Sequence, residues 1–238
     1  MQIYWLKIKQ IIQESSDVRT YLLERPEDFT WEEGAHTHLA MKGFNSGDMP
    51  NRSLVRHMSI STLPRENVIG ITTRIRPQCS EYKSILRDLQ VGDEAALFKT
   101  HSNMTLRREN KNIYLLSAGV GLATFRPIVL KYFDEPDHIP HVHALNIDSS
   151  KEFLFTDIFT SSSDRNFTAQ FVDNRQDYYQ EVKKLAADKE GIFYIVGSDD
   201  FLRQNIDILL NSGIQPQQIK LDKRERELPN FLPIEAAM

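Results

Sequence analysis

Cysteine is almost missing from this chain. Cys79 is the only one in 238 residues, so no internal disulfide can form, and the mostly cysteine ligand set of an iron–sulfur cluster is not there. The same scarcity fits a reducing compartment. A basic excess is missing too: 29 Lys and Arg stand against 33 Asp and Glu, for a net charge of −4. Nucleic-acid binders usually carry the opposite balance. No apolar run approaches the roughly 18 residues needed to span a bilayer. Met1 to Lys9 lacks the basic head, apolar middle and small-residue cleavage site of a secretion signal. These absences predict a cytoplasmic protein with no membrane span and no nucleic-acid partner. What is present is 40% apolar residues, enough for two domains with cores of their own.

The two halves carry different patterns. From Ile3 to about Lys99, short runs follow period two: Ile3 to Ile12, Thr20 to Leu23, His36 to Met41, Val55 to Ser61, Val68 to Ile75 and Glu94 to Phe98. Such runs predict antiparallel strands in a small barrel or sandwich, interrupted by one helix over Glu81 to Leu89. The charged stretch Arg107 to Asn112 reads as a linker. Beyond it, strands alternate with helices. Strands are expected at Ile113 to Ser117, His141 to Ile147, Thr168 to Val172, Ile192 to Val196 and Ile219 to Leu221. Helices are expected at Thr124 to Phe133, Glu152 to Phe159, Gln176 to Ala187 and Phe201 to Asn211. Alternation of this kind predicts a parallel sheet covered on both faces. Ser161 to Asp164 reads as a short polar loop. The expected division is residues 1–108, an N-terminal antiparallel β-barrel, and 109–238, a Rossmann-like parallel α/β domain.

Several segments carry chemistry. In Val55-Arg56-His57-Met58-Ser59-Ile60-Ser61 an arginine precedes a serine by three residues within a strand. The guanidinium fork suits a pyrophosphate, and alternate strand positions share a face. In Cys79-Ser80-Glu81-Tyr82-Lys83 a serine opens a helix, whose free amides also suit phosphate. Ser117-Ala118-Gly119-Val120-Gly121-Leu122-Ala123-Thr124 follows a strand and opens a helix, the arrangement that lets backbone approach a dinucleotide. Tyr194-Ile195-Val196-Gly197-Ser198-Asp199-Asp200-Phe201 follows the last long buried strand. Trp31-Glu32-Glu33-Gly34-Ala35-His36 forms a turn before a strand.

Taken in chain order, with the Trp31 turn first, these segments resemble the ferredoxin–NADP reductase family over roughly residues 3 to 224. The Val55 segment resembles its R-x-Y-S-x-x-S flavin motif and the Ser117 segment its G-x-G-x-x-P nucleotide loop. The Tyr194 segment resembles Y-x-C-G-P-x-x-M/F, which lies beside the nicotinamide. The resemblance implies an FAD-binding barrel, with FAD preferred to FMN because Arg56 and Ser80 form a pair of phosphate sites, followed by an NAD(P)-binding domain. It implies an NAD(P)H-dependent flavoprotein oxidoreductase. In that case hydride would pass from NAD(P)H to flavin N5, with Ser59 and Val196 nearby, and electrons would go on to a separate ferredoxin- or flavodoxin-like protein or a small molecule. Arg56, His57, Met58, Ser59, Thr73, Arg74, Cys79 and Ser80 would line the flavin. Gly119, Gly121, Ala123, Thr124, Gly197, Ser198 and Arg175 would line the nucleotide. The same fold would also serve a flavin reductase, or an electron-transfer or regulatory subunit that needs a partner for turnover.

The departures are specific. Met58 replaces the family's aromatic residue, Val196 its cysteine, and Ser198 and Thr124 its prolines. No glycine-rich turn follows Phe98. Asp148 suits a ribose 2′-hydroxyl, whereas Arg175 falls where NADP-dependent relatives bind a phosphate, so NADH and NADPH stay open. Phe231 could cover the flavin. His36 with His38, and His141 with His143, are spaced to face one side of a strand and could bind metal with a third ligand. Alternate strand positions are the simpler account, and no metal is expected. Ser59 and Ser117 lack a His–Asp set for hydrolysis.

Overall fold

The computed structural model describes residues 2–160 and 166–233. The predicted loop at Ser161 to Asp164 lies outside them. Contacts divide the chain into two compact units: Met1–Thr105 with Arg126–Ile128, and Leu106–Phe125 with Val129–Met238.

In the first unit, six strands form one antiparallel sheet: β1 (Tyr4–Gln13), β2 (Val18–Glu24), β3 (Ala35–Ala40), β4 (Val55–Ser59), β5 (Val68–Arg74) and β6 (Glu94–Ser102). Their order is β4-β3-β6-β1-β2-β5. The end strands come together where the Ser61 N–H donates to the Gly70 carbonyl at 2.8 Å. A Cβ on Gly70 would stand 2.7 Å from the Thr62 methyl, so the closure itself demands glycine. Alternate residues of the strands, among them Leu6, Ile8, Tyr21, Leu23, Leu39, Ile69 and Ile71, fill one core. Helix α1 (Glu81–Asp88) is pinned to the sheet by two buried phenols. Tyr21 donates to the Leu86 carbonyl at 2.8 Å, and Tyr82 to the Leu39 carbonyl at 3.1 Å.

The second unit holds five parallel strands: β7 (Ile113–Ala118), β8 (Val142–Ile147), β9 (Phe167–Val172), β10 (Ile192–Val196) and β11 (Ile219–Leu221). Their order is β11-β10-β7-β8-β9. Helices α2 (Leu122–Asp134), α3 (Thr156–Thr160), α4 (Arg175–Leu185) and α5 (Asp199–Asn211) connect them. β7 and β10 are buried along almost their whole length, as a sheet covered on both faces requires. Arg107, in the stretch read as a linker, is bound into this unit: its N–H donates to the Tyr194 hydroxyl at 2.9 Å.

The helix expected over Glu152 to Phe159 does not form as such. Only Thr156–Thr160 is helical. Phe155 takes a left-handed backbone with φ of 53°, which stops the helix from extending back. Phe153 packs instead on Phe171 of β9, ring centres 5.0 Å apart. Tertiary contact outweighs the weak propensity of an aromatic-rich segment.

Candidate functional site

The first unit gathers cations at one place. Register pairs Arg56 with Leu39 and Met58 with Thr37. Leu39 lines the core, so Arg56 and Met58 lean to the core-facing side of β4, whereas His57 and Ser59 face the other way. Arg56 is held by its surroundings. Its Nη1 donates to the Val55 and Ser53 carbonyls at 2.7 and 3.1 Å, and its guanidinium carbon stands 4.9 Å from the centre of the Tyr82 ring. Lys83 comes from the first turn of α1 and donates to the Thr73 hydroxyl on β5. Burial draws its pKa down to about 8; the Cys79 thiol pulls upward, and the Arg56 charge adds to the fall. Neither cation has a carboxylate partner among the described residues. Two cations brought together without a carboxylate among the described residues favour an anion beside them.

The remaining predicted flavin residues divide into those at this place and those committed elsewhere. Ser80 caps α1, accepting from the Lys83 N–H at 3.4 Å, and is otherwise exposed. Thr73 is buried, and Cys79 and Met58 pack half-buried against the core. Arg74 is bound to Asp17 at 3.1 Å, an ion pair that draws it toward the turn between β1 and β2. His57 lies in a line of four imidazoles that spacing alone did not assemble. His38–His57, His57–His36 and His36–His101 have ring centres 4.2, 4.7 and 4.1 Å apart. Even so, no cluster of His, Cys, Asp and Glu among the described residues is arranged to hold a metal.

In the second unit the strand order reverses between β7 and β10, the topological switch point where open parallel sheets bind ligands beyond their carboxyl ends. Both glycine segments lie there. Gly119 has φ of +52°, so the turn leaving β7 needs a residue without a Cβ penalty. Gly121 does not need that freedom, because its φ is −57°. It is small because a Cβ would stand 2.9 Å from the Val196 carbonyl oxygen and 3.2 Å from Val196 Cγ1. The buried Asn146 of β8 braces the turn, its amide donating to the Ser117 hydroxyl at 2.8 Å and the Gly119 carbonyl at 3.3 Å. Sequence reading passed over Asn146, whose only signal is an amide in a buried strand.

Ala123 and Thr124 are buried in α2 and face no solvent. Gly197 is half-buried, and Ser198 is exposed and caps α5, accepting from the Phe201 N–H at 3.3 Å. Arg175 is exposed in the first turn of α4. The Asp148 carboxylate accepts from the Ser150 N–H at 2.9 Å and its hydroxyl at 2.7 Å, which commits it to the local turn. Phe231, considered as a flavin cover, packs within the second unit instead. Arg203 and Lys223 stand 4.8 and 5.2 Å from its ring centre, beside a cleft of about 330 Å³.

No family model and no curated protein matches the chain in sequence. Solved structures do match in shape. A ferredoxin–NADP⁺ reductase from Neisseria gonorrhoeae, solved with bound FAD and NADP, is 16% identical, with 93% of this chain and 98% of that chain covered at a TM-score of 0.79. The chain has the ferredoxin–NADP reductase fold. A ferredoxin–NADP⁺ reductase from Plasmodium falciparum, solved with 2′P-AMP, shares this reductase fold at 15% identity, 92% and 95% coverage and a TM-score of 0.73. A flavohemoglobin from Malassezia yamatoensis, with bound FAD and heme, shares it over 93% of this chain but 60% of its own, at 16% identity and a TM-score of 0.73. The reductase fold thus occurs both alone and as part of a longer chain.

Proposed function

We propose that this chain is a cytoplasmic flavin-dependent oxidoreductase that takes a hydride from NAD(P)H onto FAD and passes electrons to a separate acceptor, a ferredoxin- or flavodoxin-like protein or a small molecule. The observation that carries the reading is the pair Arg56 and Lys83, two cations without a carboxylate partner among the described residues, beside the start of α1. This set fits the diphosphate of a flavin dinucleotide. In this reading Arg56 offers its remaining donors to phosphate, Ser80 and the first amides of α1 add neutral donors, and Thr73 orients Lys83. Met58 stands next along β4 toward the ring, and His57 and Ser59 support the strand from its other face. The second unit would take the nicotinamide nucleotide at the turn Gly119–Gly121 and the start of α5. Asn146 fixes the turn, Gly197 and Ser198 shape its neighbour, and Ala123 and Thr124 seat the helix behind it. The flavin supplies the redox chemistry; the chain supplies binding, orientation and field. With Cys79 as its only cysteine, the chain has no thiolate set of its own for an iron–sulfur cluster, which supports an external acceptor. The working division is a flavin domain over 1–108 and a nucleotide domain over 109–238.

The experiment is reconstitution with FAD followed by NADH or NADPH in the absence of oxygen. Loss of the oxidised flavin colour, restored by an added acceptor, is the expected result. A colourless chain that takes up neither FAD nor FMN would overturn the proposal.

A further inference from the structure

We infer that Lys83 is a ligand of the flavin diphosphate in its own right, and that binding there draws a proton onto its amine, so that the first unit grips the cofactor in a pH-dependent way. The inference rests on the proposed flavin site and adds its regulation. Three observations carry it.

The first is placement. Lys83 projects from the opening turn of α1, where amide N–H groups lack helical partners. It meets Thr73 of β5 while Arg56 arrives from β4. A doubly charged diphosphate among these groups would have donors on more than one side, the arrangement charge-assisted hydrogen bonds favour.

The second is the lack of a counter-charge. The groups that act electrostatically on Lys83 are Arg56 from β4 and Cys79 from the turn before α1. β5 contributes the Thr73 hydroxyl. The Arg74 side chain of β5 is drawn to Asp17. On α1 itself, Glu81 is exposed and the Tyr82 phenol is committed to the Leu39 carbonyl. Among the described residues no carboxylate pairs with Lys83, so an anionic ligand would neutralise it.

The third is titration. The amine sits at about 8 in the free chain, held down first by burial. An arriving diphosphate favours the charged form, and by linkage the proton that binding takes up is the proton whose loss weakens binding. At neutral pH Lys83 is mostly charged and uptake is small. Near pH 8 about half a proton should be absorbed per cofactor bound, and above it the affinity should fall by up to about tenfold per pH unit. Arg56 adds the planar fork of its guanidinium to the same site.

The test titrates the flavin-free chain with FAD and with riboflavin from pH 6.5 to 9.5, by calorimetry in buffers of different ionisation enthalpy. FAD affinity should fall above about pH 8 with proton uptake, while riboflavin, which has no phosphate, should show neither effect. Lys83→Met should lose about 10- to 100-fold in FAD affinity at pH 7 and flatten the slope. Lys83→Arg should recover affinity and stay flat, because a guanidinium does not titrate in this range. Thermal unfolding of each variant shows that it is folded. A slope that persists in Lys83→Arg, or an unchanged FAD affinity in Lys83→Met, overturns the inference and leaves the flavin reading standing. If the wild-type chain binds neither flavin, both fall.

Discussion

In the first unit Arg56 and Lys83 meet from a strand and a helix that are far apart in the chain. In the second, the ends of β7 and β10 offer two glycine turns and a buried asparagine, and the charges in the first turn of α5 are the acidic Asp199 and Asp200. One candidate site is built from side-chain charge, the other from backbone shape. The difference teaches where each is vulnerable. A charge site tolerates small changes of backbone but not loss of its cationic heads or a change in their protonation. A shape site tolerates changes of pH but not an added Cβ, because its contacts are already at van der Waals distance.

The sharpest way to break this comparison is Arg56→Ala. If the charge account holds, FAD binding weakens by about 2–5 kcal/mol, read by equilibrium dialysis, while the fold survives. Retained affinity would mean that the first site does not depend on charge after all.

The second unit should still show one strong pH effect, and it should come from outside the glycine turns. His143 of β8 is held down to about 4, first by burial and then by His141, with Glu181 opposing. Its ordinary value is 6.5. The unfolded chain therefore binds a proton in the window between about 6.5 and 4 where the folded chain does not, so stability is full above about 6.5 and declines as pH falls through the window. The loss should reach about 2–3 kcal/mol, with His141 shifted in the same direction. Denaturant melts across this range should lose most of their slope in His143→Gln. An equally steep wild-type and variant curve would assign the effect elsewhere.

Gly121→Val addresses shape directly. Its branched side chain would meet the Val196 carbonyl, for a cost of about 1–3 kcal/mol. We expect a lower melting temperature and weaker binding of NADH and NADPH, with FAD affinity unchanged. The smallest effect is expected from Val196→Cys combined with Ser198→Pro. Ser198 already has φ of −67°, which proline adopts without strain. The substitution therefore stiffens the turn at the cost of the cap on α5. Stopped-flow reduction of the flavin should quicken by roughly two- to five-fold, under about 1 kcal/mol of barrier. No gain in a folded, flavin-bound variant would show that these departures do not limit the rate.

Much of this was legible from local pattern. Period-two runs marked the six strands of the first unit. The strand–glycine–helix segment at Ser117 to Thr124 and the buried run before Gly197 marked the turns of the second. What local pattern did not show shares a cause. Lys83 sits inside a recognised segment, yet nothing local distinguishes it from a solvated helix lysine. Arg74 reads as a flavin residue, and its ion pair with Asp17 comes from 57 positions away. Gly121 reads as a residue kept small for a phosphate, and only the structure shows that a Cβ there would also meet the Val196 carbonyl. The helix expected from Glu152 lost its first turn to Phe153 packing on β9.

The sequence by itself determined which stretches become strands, helices and tight turns, because those choices depend on hydrophobic period, capping residues and glycine within a few positions. It also determined what the chain cannot assemble from its own thiols, because one cysteine makes no cluster. The tertiary structure alone decided that Arg56 and Lys83 share a place with no carboxylate partner among the described residues, that His36, His38, His57 and His101 stand ring to ring, and that Asn146 braces the Gly119 turn. Each of these is a contact across strands or between strand and helix. Charge balance and burial are set there by neighbours remote in sequence, and no local pattern records them.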